Sequence, residues 1–213
     1  MKKNNSYLLD LIKSQKDNFS LDQSFYTNKS IFEMDLKTFF FNQWVFVGHI
    51  SRIKNKGDYF LFSIGEESII IIRENEDKIN AFYNVCRHRG SHICLEEEGR
   101  VRKFVCPYHA WNYDLSGKLL KARMMDDNFK PKNWSLKKCN CIVFEGLIFI
   151  NLSENASDFQ NFINPIEDFI KLHGLGKAKI AARKIYPTKG NWKLTLDNFH
   201  ECYHCQPSHP EYC

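Results

Sequence analysis

The 213-residue chain has little of what marks a non-globular protein. It holds only 10 glycines and six prolines, too few for a fibrous or low-complexity chain. No internal repeat and no low-complexity linker is present. Its apolar runs extend only a few residues, as at 69–72, far short of the roughly 18 that mark a membrane-spanning helix. The N-terminus begins Met-Lys-Lys but continues Asn-Asn-Ser and builds no signal-peptide core, which argues against secretion. Lys and Arg outnumber Asp and Glu by 30 to 25, a net charge of +5. Those basic residues are scattered, whereas a nucleic-acid binder needs a localised stripe. The expectation is a cytoplasmic protein with no nucleic-acid and no membrane partner.

Eight cysteines and eight histidines are what the chain does have. Without secretion a disulfide framework is a poor reading, and metal binding or redox chemistry is the better one. Hydrophobic residues make up 43% and charged residues 26%, ordinary for a globular protein.

The hydrophobic pattern predicts helices at 6–14 and after Ser30, where Ser30 and Glu33 fit a capping box. From Trp44 onward short Val-, Ile-, Phe- and Tyr-rich runs at 44–48, 58–63, 68–73, 79–84, 101–106, 111–114 and 141–150 read as strands. They predict an antiparallel sandwich or small barrel. Residues 153–175 turn helical and end at His173-Gly174. A strand is expected at 180–185, and a helix from 191 to 206 that Pro207 ends. The predicted organisation is a helical arm at 1–41, a β-domain at 42–152, and a linker helix with the start of a further α+β domain at 153–213.

Two elements carry chemistry. Cys86-Arg87-His88 and Cys106-Pro107-Tyr108-His109 form C-x-H and C-x-x-H separated by 17 residues. Each follows a predicted strand, so both lie on loops at sheet ends. A tetrahedral zinc site uses the same residue types but a wider bite within each pair. The narrow C-x-H bite suits two adjacent metals, with each loop giving its Cys to one iron and its His to the other. That is the ligand set of a Rieske 2Fe–2S centre. Gly90 permits a tight turn after the first pair, and Pro107 limits the second.

The stretches Asn84-Val85-Cys86-Arg87-His88-Arg89-Gly90 and Phe104-Val105-Cys106-Pro107-Tyr108-His109-Ala110-Trp111 resemble the cluster loops of Rieske non-haem iron oxygenase alpha subunits. Trp44-Val45-Phe46-Val47-Gly48-His49, Tyr113-Asp114-Leu115-Ser116-Gly117 and Gly146-Leu147-Ile148-Phe149-Ile150 match as well. The resemblance covers roughly residues 20–213.

A second constellation separates an oxygenase from a Rieske ferredoxin. It comprises Asn191-Trp192-Lys193, Asp197-Asn198, Glu201, Tyr203-His204 and His209. On a helix, Glu201 and His204 would share a face. His209 would diverge unless Pro207 lets it fold back. Two histidines and a carboxylate form the facial triad of non-haem Fe(II) oxygenases. The resemblance implies that His204 and His209 bind a catalytic Fe(II). It implies that Glu201 links that iron's histidine to the position of His109 on a neighbouring subunit. The third iron ligand lies beyond residue 213 in the family, and Glu211 is too close to His209 to replace it.

Glu201 within Glu-Cys-Tyr-His-Cys resembles the branch acting on glycine betaine, choline or carnitine; most ring-hydroxylating members carry Asp there. The family further implies a helix-grip catalytic domain and a homotrimer in the full-length form. Electrons would come from a reductase (with NAD(P)H and flavin) or a ferredoxin, and dioxygen and a small organic molecule would be the substrates. The alternatives are a stand-alone Rieske electron carrier, a ring-hydroxylating dioxygenase, and a structural zinc or interaction module. A di-iron carboxylate site would need a second Glu-x-x-His, which is absent.

Cys202-x-x-Cys205, expected mid-helix, and Cys139-x-Cys141 read as filling. His49, His92, His173 and His200 read as ordinary residues. Leu194, Leu196 and Phe199 are expected to stay exposed on the last helix.

Overall fold

The computed structural model describes residues 2–212. They form two compact units. One is Thr38–Arg183; the other joins the chain up to Lys37 with the chain from Lys184 onward.

The larger unit is built on two antiparallel sheets. A seven-stranded sheet has the order β1-β10-β9-β4-β3-β2-β5 and a three-stranded sheet the order β6-β7-β8. The strands are β1 (Val45–His49), β2 (Asp58–Ile64), β3 (Glu67–Arg73), β4 (Ile79–Tyr83), β5 (Glu98–Arg100), β6 (Phe104–Val105), β7 (Asn112–Tyr113), β8 (Leu119–Lys121), β9 (Lys138–Phe144) and β10 (Leu147–Asn151). The single strand expected at 141–150 is therefore a hairpin. Glu145 and Gly146 both have positive φ, 46° and 78°, the backbone of a two-residue type I′ turn.

The run Ile69 to Ile72 explains how the site is supported. Alternate strand residues face opposite ways. Ile70 and Ile72 join one core with Cys86, Cys106, Trp111 and Tyr113. Ile69 and Ile71 join a second core with Val47, Phe60, Ile148 and Ile150. All four isoleucines are fully buried, each contributing about 1.5–3 kcal/mol. A strand covered on both faces reads as a continuous apolar run rather than an alternating one. The small sheet lies over the first core through Phe104, Tyr113 and Leu119. Gly117, with φ +82°, closes its second turn where an added Cβ would lie 2.4 Å from the Phe82 ring. No side chain fits there.

Two short helices follow, α4 (Phe159–Ile163) and α5 (Glu167–Leu172). Pro165 within the Asn164–Ile166 turn divides the single helix expected there. Phe159 and Ile163 pack on Trp44 and Phe149. Gly174 ends the segment in the left-handed region, φ 58°. Residues 180–185 form no strand; Ile180 and Ile185 are exposed.

The smaller unit holds α1 (Lys2–Lys13), α2 (Ser24–Thr27), α3 (Lys29–Asp35), α6 (Trp192–His200) and α7 (Cys205–Ser208). The cap of α3 is Asn28, whose side chain accepts from the Ser30 N–H at 2.9 Å, and not Ser30. The helical arm grips the start of α6 through several contacts, among them a bond from Lys193 Nζ to the Phe25 carbonyl at 3.3 Å. Asp35 pairs with Lys193, both buried, and accepts from the Trp192 Nε1–H at 3.3 Å. Asn191 donates to the Tyr26 carbonyl at 3.1 Å, and the Tyr26 hydroxyl to Asp197 at 2.6 Å.

Candidate metal centres

The two cluster loops are held open by their own hydrogen bonds. The Cys86 N–H donates to the Ser91 carbonyl at 2.8 Å and the Gly90 N–H to the Cys86 carbonyl at 3.0 Å. Gly90 adopts φ +74°, as its residue type allows. In the second loop Cys106 N–H donates to Trp111 O, and Ala110 N–H to Cys106 O, both at 2.9 Å.

Asn84, fully buried, braces the first loop from behind. Its Oδ1 accepts from the Ile93 and Cys94 N–H groups at 3.0 and 2.9 Å. Its Nδ2 donates to the Cys94 carbonyl at 2.8 Å and to the Ser68 hydroxyl at 3.2 Å. Sequence reading gave Asn84 no role of its own. Its signal is position: an amide two residues before the first ligand, at the end of a strand.

These loops bring the four sequence-predicted residues together. The Cys86 and Cys106 thiols are buried in the same core. The His88 and His109 rings lie 4.6 Å apart at 74°. The Nδ1 atoms of both histidines are buried with no hydrogen-bond partner, an arrangement folded proteins seldom leave unexplained. Two thiols beside two unpaired imidazole nitrogens fit a cluster with two Cys and two His ligands. Among the described residues no three His, Cys, Asp or Glu side chains form one group able to hold a single ion. A two-iron cluster asks for only two protein ligands on each metal.

The surroundings set the electrostatics. Burial pushes the Cys86 thiol up, against the Tyr113 hydroxyl, which lies 3.3 Å from its sulfur. Tyr113 Oη also accepts from the Arg87 N–H at 3.2 Å; a metal-bound Cys86 thiolate has no proton, so in that state the phenol would be the donor to the sulfur. Burial first, and then His109 and Arg89, hold the His88 imidazole below its ordinary value. That shift favours the neutral imidazole, the form a metal takes as ligand. Trp111, 2% exposed, stacks on His88 at 4.9 Å and 7°. Tyr108 packs on His109 at 3.9 Å but is itself exposed. A cavity of about 860 Å³ opens over this face, lined by His88, Arg89, Tyr108, His109, Lys121 and Arg123 among others.

The second constellation is assembled differently from the sequence expectation. The helix does not run to Pro207. It ends at His200, with Glu201 in extended backbone (φ −101°, ψ 108°). Glu201 and His204 still meet, because Glu201 caps the following turn. Its Oε1 accepts from the His204 N–H at 3.2 Å, and its Oε2 lies 3.0 Å from His204 Nδ1. The bond from His204 holds the Glu201 carboxyl below its ordinary value. Nδ1–H donates to the carboxylate, which leaves the Nε2 lone pair for a metal. Pro207 lies inside α7, and one turn later the His209 ring stands 5.9 Å from the His204 ring. This geometry fits two imidazole ligands of a mononuclear site. Asp197 accepts a bond from the Tyr26 hydroxyl. His200 is exposed.

Cys94, Cys139 and Cys141 are pushed up to about 12 by burial and belong to the cores or pack against them. His49 is buried and satisfied by Ser51 and the Leu175 carbonyl. Leu194, Leu196 and Phe199 are exposed on α6.

Residues 43–139 match the family described as Rieske [2Fe-2S] domain. Residues 175–212 match the ring hydroxylating alpha subunit catalytic domain. The chain is 39% identical over 203 residues to a glycine betaine monooxygenase oxygenase subunit of Pseudomonas aeruginosa, covering 95% of this chain and 47% of that protein. It is 37% identical over 196 residues to a carnitine monooxygenase oxygenase subunit of Acinetobacter pittii, covering 87% of this chain and 51% of that one. Among solved structures it resembles the quaternary ammonium Rieske monooxygenase CntA in complex with L-carnitine, with TM-score 0.81 and 35% identity, covering 89% of this chain and 55% of that chain. The chain spans about half the length of the curated relatives it matches. No helix among the described residues is long and apolar enough to cross a membrane.

Proposed function

Given a chain that belongs with the Rieske oxygenase alpha subunits, matching their 2Fe–2S domain at residues 43–139 and their catalytic domain at 175–212, we propose that the whole protein is a monooxygenase acting on a quaternary ammonium compound. The carrying observation is the convergence of buried Cys86 and Cys106 with the unpartnered Nδ1 atoms of His88 and His109. Residues 42–152 form the cluster domain, and 153–213 a linker with the start of the catalytic domain. Cys86, His88, Cys106 and His109 hold the 2Fe–2S cluster. His204 and His209 hold a mononuclear iron, whose remaining ligand is assigned to no residue of this chain. When bound, the cluster passes single electrons and the iron activates dioxygen.

The chain's own residues do the rest. Trp111 covers His88 and keeps water from one side of the cluster. Glu201 orients the His204 ring through Nδ1 and offers its carboxylate as the link to a cluster histidine of a neighbouring subunit in a homotrimer. The glycine betaine and carnitine relatives support an N-methyl substrate, whose hydroxylation ends in demethylation with release of formaldehyde. The donor is a flavin- and NAD(P)H-dependent reductase or a ferredoxin, and the setting is cytoplasmic.

The test begins with iron and acid-labile sulfide assayed on the purified chain, with the spectrum of the dithionite-reduced protein. A rhombic signal averaging near g ≈ 1.9 is expected of histidine-ligated 2Fe–2S clusters. A colourless zinc protein, after anaerobic reconstitution has also failed, overturns the reading. Formaldehyde release from glycine betaine or carnitine by the whole enzyme then tests the substrate class, and its absence with both compounds refutes it.

A further inference from the structure

The strap between β8 and β9, residues 122–137, takes no part in the roles above. It holds one 3-10 turn, Pro131–Trp134. Two backbone bonds fold it: the Phe129 N–H donates to the Asp126 carbonyl and the Asn133 N–H to the Lys130 carbonyl, both at 3.1 Å. Its far end is fixed by buried Leu136, whose N–H donates to the Gly117 carbonyl at 2.8 Å.

The strap brings two rings to Trp111. Phe129 lies 5.6 Å from the Trp111 ring at 73°, and Trp134 lies 5.7 Å from it at 82°. Both fall within the 4.5–7 Å of favourable edge-to-face pairs. Phe129 and Trp134 also stack on each other at 5.7 Å and 25°, so the three rings support one another. Trp111 in turn lies on the His88 ring at 4.9 Å and 7°. Trp134 is 37% exposed, whereas Trp111 is 2% exposed.

We propose that Phe129 and Trp134 are positioning residues for the cluster: they clamp Trp111 flat on His88 and keep water from that ligand. The inference rests on the cluster assigned above to Cys86, His88, Cys106 and His109. Its physics is the local dielectric. Two thiolates balance the charge of an oxidised 2Fe–2S core, and neutral imidazoles add none, so one added electron leaves the site negative. A dry surrounding opposes that charged state. Freeing Trp111 lets water approach His88, which stabilises the reduced form and raises the potential.

The test measures two quantities on the chain carrying its cluster: the reduction potential, and the rate at which an iron chelator strips the cluster. Trp134→Ala is expected to favour reduction about threefold, roughly 28 mV at 59 mV per tenfold, and to speed cluster loss. Trp134→Phe keeps a ring and should return both quantities toward those of the unchanged chain. In a Trp111→Leu background, Trp134→Ala should add no further shift, because it acts through Trp111. Phe159→Leu in the third core controls for lost stability and should leave the potential unchanged. Where Trp134→Ala keeps no cluster, Phe129→Leu and Trp134→Leu carry the same test. An unchanged or lowered potential overturns the proposal, and so does an equal shift with and without Trp111. An unchanged chain that binds no iron and sulfide overturns the cluster assignment itself, and the proposal falls with it.

Discussion

Replacing Tyr113 by Phe isolates a single hydrogen bond to the cluster. The ring is fully buried between the two loops, and Phe keeps its shape. What is lost is one hydroxyl that lies 3.3 Å from Cys86 Sγ, to which it would donate when the sulfur is a metal-bound thiolate, and that accepts from the Arg87 N–H at 3.2 Å. Burial, and then the Cys86 thiol, push this phenol above its ordinary range, so it keeps its proton to donate.

One-electron reduction makes the cluster more negative, so a donor at a ligand sulfur stabilises the reduced form more than the oxidised one. Hydrogen bonds to charged groups contribute about 1.5–3 kcal/mol. At the long O···S distance, taking about 1 kcal/mol of that as the difference between redox states gives a drop of roughly 40 mV, since tenfold is about 59 mV for one electron. The assay is a redox titration of purified Tyr113→Phe followed by the reduced-state signal. The Arg87 N–H left without its acceptor also costs about 1–3 kcal/mol of stability, so unfolding is measured beside it. A destabilised variant with an unchanged or raised potential refutes the reasoning.

Other expectations follow from single contacts. Cys106→Ser should lose iron and sulfide together, measured by metal and sulfide content. Asp35→Asn leaves Lys193 buried without its charge partner and should destabilise the smaller unit by about 3–5 kcal/mol; adding Lys193→Met should recover much of that, read by amide exchange in α6. Gly117→Ala forces a Cβ against Phe82 in left-handed backbone and should cost about 2 kcal/mol or more in denaturant unfolding. Partial burial opposes ionisation of Asp58, but Arg100 and Asn55 outweigh it and hold the carboxyl below its ordinary value. A depressed carboxyl stabilises the fold above its unfolded pKa and loses that contribution as pH falls through the folded one. Asp58→Asn should therefore flatten the acid limb of stability below about pH 4. The change is under about 1 kcal/mol, because the Arg100 side chain is largely exposed.

Much of the first centre was legible in the residues alone. Ligand identity and spacing constrain which atoms reach two adjacent metals, and those constraints are local. Cys86, His88, Cys106 and His109 lie on two short loops after strands, so a short window contains nearly all the information. Asn84 and Tyr113 were not legible as positioning groups. Their partners come from other segments, and no pattern along the chain announces a buried amide with four bonds. The second constellation shows the opposite case. Glu201 and His204 were expected to meet on a helix, and they meet by a cap across a broken one. The i, i+3 spacing serves both geometries.

The sequence by itself determined the donor set, the sheet-rich middle of the chain and the resemblance these carry. It did so because metal ligands and turn glycines are selected residue by residue. Tertiary structure decided where the chain's two ends go. Asp35 and Lys193 lie 158 positions apart, yet they form one buried pair that ties the helical arm to the α6 helix. Each is a common charged residue on a short helix and carries no local signal of its partner. Only the fold removes both from water, and a buried charge then requires the other.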